Sequence, residues 1–142
     1  MGVATHRPSS VTLVFNGIPI SGFMDGTYVA LTKNTDAFAL KMGATGTGAR
    51  AQTQDESGTC VFTLLQTSEV NAALTAMHKL DKNAGDGVGP LACKDLSGAD
   101  TASAETAWIR KVADVEYSNE IMGREWTIET DNLDLSPGGN PI

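Results

Sequence analysis

Residues 57–80, SGTCVFTLLQTSEVNAALTAMHKL, constrain the fold more than any other stretch. Side chains alternate across Thr59–Leu64. Cys60, Phe62 and Leu64 point one way and Thr59, Val61 and Thr63 the other, which is the period of a half-buried strand. Ser68 is a good helix N-cap, and Glu69 puts a carboxylate beside the positive end of the helix dipole. Val70, Ala73, Leu74, Met77 and Leu80 then recur at helical spacing, with Val70, Leu74 and Met77 as the expected core contacts. Asp81–Gly87 (DKNAGDG) is expected to end the helix in a loop. No other segment reads as a convincing helix. A lone helix needs a sheet to cover, so the rest of the chain is expected to supply one.

The flanking sequence reads as strands and turns. Val11–Phe15 is a strand, Asn16-Gly17 a hairpin turn whose residues tolerate positive φ, and Ile18–Phe23 the return strand, with Pro19 favouring an edge. Asp25-Gly26 is a second turn, followed by strands at Tyr28–Lys33 and Ala37–Met42. Residues 43–58 (GATGTGARAQTQDESG) hold almost no large apolar side chain and cannot bury themselves within one subunit. They are either a mobile loop or an extended hairpin that a neighbour orders. Pro90–Lys94 is a short strand, Asp95–Ala99 a turn, and Thr101–Lys111 is compatible with helix or strand. Asp114–Ser118 and Arg124–Leu133 read as strands. In the latter, Trp126 and Ile128 oppose Glu125, Thr127, Glu129 and Asp131. Residues 1–9 form an arm and 136–142 a tail. With about seven or eight short strands, one helix and no repeat, the expected class is mainly β: a β-sandwich or partial barrel with one flanking helix, in a single domain over residues 1–142.

Chemistry is sparse. His6 and His78 have no matching partners, and Cys60 and Cys93 sit in apolar strand-like runs outside any CxxC, so reduced core thiols are expected. No catalytic residue, cofactor site or metal site is expected. Gly43, Gly46 and Gly48 fit neither phosphate-loop spacing, and Asp81, Asn83 and Asp86 lack the glycine and glutamate of a calcium loop. Trp108 and Trp126 are candidates for core or interface. The formal charge is −7. Residues 112–142 carry seven carboxylates against Arg124 alone, which puts most of that charge in the C-terminal segment. Such a chain does not cling to phosphate backbones or anionic membranes by charge. Neither a signal-peptide h-region nor an apolar run of membrane-spanning length is visible, so a cytosolic origin without membrane insertion is expected.

The run SGTCVFTLLQTSEVNAALTAMHKLD is similar to the strand–helix signature of the tail tube protein family of contractile-tailed bacteriophages. The resemblance continues through KDLSGADTASAETAWIRK (94–111) and GREWTIETDNLDL (123–135), and NGIPISGFMDG and NTDAFALKMGA fit as well. It spans nearly the whole chain in order. It departs at 43–50, which is richer in Gly and Thr and less charged.

The resemblance implies a structural virion protein. Hexameric rings would stack into a hollow tube inside a contractile sheath. DNA, tape-measure protein and ejected proteins would pass through, and baseplate or hub and tail-terminator proteins would be neighbours. On that reading Glu125, Glu129 and Asp131 are candidate lumen-facing acids, with an outward position as the alternative. Gly43, Ala44, Thr45, Gly46, Thr47, Gly48 and Arg50 form the candidate inter-ring or inter-subunit loop. Other readings are a tube or baseplate protein of a phage-derived injection machine and a monomeric β-sandwich that binds a ligand. An enzyme has the least support.

Overall fold

The computed structural model describes residues 3–139. Residues 1–2 of the expected arm and 140–142 of the expected tail lie outside the described residues. The rest of the arm is exposed and ends in a 3-10 turn at Pro8–Ser10.

Ten strands and one helix follow: β1 (Val11–Phe15), β2 (Ile18–Pro19), β3 (Val29–Lys33), β4 (Phe38–Met42), β5 (Gly48–Gln52), β6 (Gly58–Leu65), α1 (Val70–Ala84), β7 (Gly89–Asp95), β8 (Thr101–Lys111), β9 (Gly123–Thr130) and β10 (Asp134–Ser136). One antiparallel sheet runs in the order β2-β1-β7-β8-β9-β6-β3, with β10 also on β8, while β4 and β5 form a separate hairpin.

The long β8 explains how one sheet makes two layers. Its first half pairs with β7 and β10, its second half with β9, and the register shifts between the halves. Such bulges bend a strand and sharpen its twist. The sheet therefore curves back on itself. Leu13, Phe15, Leu91, Ala102 and Ala104 from one half share a core with Cys60, Phe62, Leu64, Trp126 and Ile128 from the other.

The β1–β2 turn follows the expectation: Asn16 (φ 47°) and Gly17 (φ 81°) both take the left-handed region. The return strand is shorter than expected. Only Ile18–Pro19 pair with β1 as a strand, with Pro19 at the sheet edge; the Ile20 N–H still donates to the Leu13 carbonyl at 2.9 Å, and Phe23 then bridges to Leu64.

Ser68 caps α1, its Oγ accepting the Val70 N–H at 3.3 Å while donating to the Ser21 carbonyl at 2.8 Å. The helix runs to Ala84, one turn past the expected stop at Asp81. Gly85 (φ 70°) ends it, its N–H donating to the Asp81 carbonyl. Leu74 is fully buried, and Val70 and Met77 are half-buried against the core. Ala73 and Leu80 are exposed, so the packed stripe is narrower than expected. Two side-chain contacts fix the helix on the sheet: the Trp126 indole N–H donates to Asn71 Oδ1 at 2.9 Å, and Asn16 Nδ2 meets the Met77 sulfur at 3.3 Å.

Thr101–Lys111 is a strand, and Asp114–Ser118 is not one. Residues 112–122 run as an irregular segment with Val112, Val115, Tyr117 and Ile121 exposed. Arg124, buried at the strand edge, holds this segment through its Nη1 on the Glu116 carbonyl (3.4 Å) and its guanidinium 5.6 Å from the Tyr117 ring.

Candidate functional site

Two surfaces stand open on the body of the chain. The first is the β4–β5 hairpin. Its ladder pairs Phe38 with Gln52, Leu40 with Arg50 and Met42 with Gly48, which puts these six residues on one face. Gly43–Thr47 close the tip through the Gly43 N–H to Thr47 carbonyl bond (2.7 Å), with Gly46 at φ 90°. Every residue from 38 to 52 is exposed: Phe38 by 47%, Leu40 by 73% and Met42 by 54%. Arg50 stacks on Phe38, 4.2 Å from the ring centroid. The segment expected at 43–58 is thus an extended hairpin in its first part. Its last residue, Gly58, is buried and starts β6, and a Cβ there would overlap the Leu133 side chain. Residues 53–57 tie the hairpin's base to the body. Asp55 Oδ1 accepts the Ser57 N–H at 2.9 Å, and Asn34 Nδ2 donates to Ser57 Oγ at 3.0 Å. Hydrogen bonds from the Ser57 side chain and backbone N–H hold the Asp55 carboxyl below the usual carboxylate range.

The second surface is the outward face of β9, β6 and β8. Thr59 lies opposite Glu129, Val61 opposite Thr127, Thr63 opposite Glu125, and Trp108 opposite Glu129 across the next ladder. The helix does not cover this face. Trp126 and Ile128 point the other way into the core, 2% and 0% exposed. Trp108 is half-buried on the open face. Glu125 and Glu129 share this face, and Arg110 pairs with Glu129 at 3.4 Å. Asp131 lies past the end of β9, on a cleft of about 760 Å³ that Lys33, Glu56, Glu105 and Asp134 also line. Lys33 there donates to Glu56 Oε2 (2.9 Å) and the Leu133 carbonyl (2.8 Å). The three acidic candidates are therefore not one row, and the pairing of Arg110 with Glu129 was not legible from sequence.

Both thiols are free and buried. Burial and the nearby Cys93 push the Cys60 thiol up to about 12, and burial with Asp100 and Asp95 raises Cys93. Asp95, missed at the sequence level, is itself buried. Its Oδ1 accepts both the Ser97 N–H (3.0 Å) and hydroxyl (2.7 Å), which lowers its carboxyl. Among the described residues no group of three His, Cys, Asp or Glu side chains is placed to hold a metal ion, and no helix is long and apolar enough to cross a membrane. Asp81 Oδ1 accepts the Gly87 N–H, so the calcium-loop look-alike is a helix exit.

The family described as bacteriophage PhiTE tail tube protein matches residues 19–138. The chain is 31% identical to "Structural protein ORF10" of Pseudomonas phage KPP10, covering 96% of this chain and 84% of that protein. Similar solved structures include the anti-feeding prophage tube terminating cap, with a TM-score of 0.61 at 9% identity over 96% of this chain and 93% of that one. The sheath/tube terminator and the sheath–tube complex of the extracellular contractile injection system PVC follow. Their TM-scores are 0.59 and 0.58 at 11% and 10% identity, each over 93% of this chain and over 96% and 91% of theirs. The structures share the fold; the sequence matches place the chain more closely. It belongs to the bacteriophage PhiTE tail tube protein family, a family of phage structural proteins.

Proposed function

We propose that the chain is a subunit of a hollow tail tube, built as hexameric rings that stack within a contractile sheath and whose lumen conducts DNA and tape-measure protein during ejection. The observation that carries this reading is the hairpin. A two-stranded ribbon with both faces in water is marginal by itself. Phe38, Leu40 and Met42 are exposed together on it, and a further copy is the natural cover. The free side of β3, the last strand in the sheet order, supports the same reading, since an unpaired edge invites another strand. The sheath–tube complex among the structural neighbours is a precedent for such a partner. Tail terminator and baseplate or hub proteins would meet the tube at its ends, with assembly in the host cytoplasm and the product in the virion.

Negative-stain microscopy of the purified chain tests the reading. Six-fold rings or tubes are expected. A protein that stays monomeric at every concentration, with one ligand-binding pocket, would overturn it. The same subunit could serve a phage-derived injection machine, as the contractile-injection neighbours suggest. Particles that carry no DNA would favour that second reading.

A further inference from the structure

The core has a gap. Between β3 on one layer and β1, β7, β8 and β10 on the other lies a cavity of about 520 Å³. Val11, Val29, Leu31 and Leu135 line it, and all four are inward-facing side chains that are only half-buried. Cys93 and Ala102 form its floor, and Asp95 and Asp100 stand on its wall. The cavity opens to solvent, and an apolar wall exposed to water in this way is stabilised when apolar side chains cover it. The chain's own hairpin does not, since all of its residues are exposed.

We infer that the Phe38–Leu40–Met42 face of one copy's hairpin fills this gap in a neighbouring copy, with Arg50 reaching the carboxylates of Asp95 and Asp100. Three features of the chain support the match. The volume exceeds any single side chain and suits more than one. Leu40, at the centre of the hairpin face, is the most exposed of the three apolar residues. The charges also complement each other. Residues 37–54 carry Lys41 and Arg50 and no carboxylate, although the whole chain is at −7. Neither aspartate on the cavity wall pairs with Lys or Arg among the described residues: Asp95 accepts from Ser97 and has His6 at 4.0 Å as its one ionisable partner, and Asp100 Oδ1 accepts the Gly139 N–H at 2.7 Å. Guanidinium–carboxylate pairing would fix the hairpin's register, and apolar burial would supply the affinity.

This inference rests on the self-assembly reading, and one experiment separates the two. The full chain, carrying a benzophenone amino acid at position 40, is assembled from a mixture of isotope-labelled and unlabelled copies, checked by negative stain, irradiated and mapped by mass spectrometry. Adducts between copies on Val29, Leu31, Cys93, Ala102 or Leu135 are expected. Adducts elsewhere, in preparations that do form tubes, overturn the seat and leave the assembly reading standing. Absence of rings and tubes from unmodified protein overturns the assembly reading itself. A charge swap gives a second test. Arg50→Glu is expected to raise the critical concentration for assembly about tenfold, and adding Asp100→Lys to restore it. Failure of that rescue, with both variants folded, counts against the contact.

Discussion

Single residues decide whether the helix seals the core. Leu74 is 0% exposed on the helix face that meets the sheet. Leu74→Ala should cost roughly 2–5 kcal/mol in chemical denaturation, the range for emptying a fully buried leucine site. A loss within error would mean that α1 does not close the core. Cys60 makes a pH-dependent prediction. Its thiol is raised from 9.0 to about 12 in the fold, so the neutral form is favoured there more than in the unfolded chain. A raised folded value gives stability that is complete below pH 9.0 and lost progressively as pH climbs toward 12. Between pH 8 and pH 10 that loss should be about 1.4 kcal/mol. Cys60→Ala should lack that share of the alkaline decline, leaving the part due to Cys93. Parallel curves for the two proteins would show that Cys60 does not titrate with unfolding.

At the scale of elements, the hairpin is expected to be dispensable for folding and necessary for assembly. No residue of 38–52 is buried, so deleting Ala44–Ala49 should leave the melting transition in place and abolish tubes in sedimentation. Unfolding on deletion would place the segment in the core. Elements with one face in the core were legible from their sequence, because burial on one side writes a period of two, as in Cys60, Phe62 and Leu64 of β6. β8 hid from that reading. Its buried residues are Ala102 and Ala104, then Ala107 and Ile109, and the bulge between them switches the phase of alternation. Its alanines, which look helical, are small because the two layers meet there. Asp114–Ser118 misled in the opposite sense. Val115 and Tyr117 alternate with acids as in a strand but stay exposed, and no ladder takes them up. The hairpin was half legible: its failure to bury itself follows from composition, but the cavity that could receive it depends on how two distant layers gape, which no local pattern records.

At the scale of the whole molecule, charge placement bears on what passes through a tube. If the open face of β9 lines the lumen, each copy presents Glu125 and Glu129 there, with Arg110 offsetting part of the charge through its pair with Glu129. DNA carries about one negative charge per 1.7 Å of helix axis, so a basic wall would bind it by releasing counterions. A wall that is weakly acidic and threonine-rich offers no such foothold, and DNA slides past it. The exposed Arg110–Glu129 pair is worth little in stability, so reversing these charges should spare the fold. The double variant Glu125→Lys, Glu129→Lys should assemble tubes whose particles stall in DNA ejection, with the stall relieved as salt rises. Asp131→Lys, placed instead on the Lys33–Glu56 cleft, should leave ejection unchanged. Normal ejection by the double variant, combined with failed sheath attachment, would put this face on the outside of the tube and end the lumen assignment.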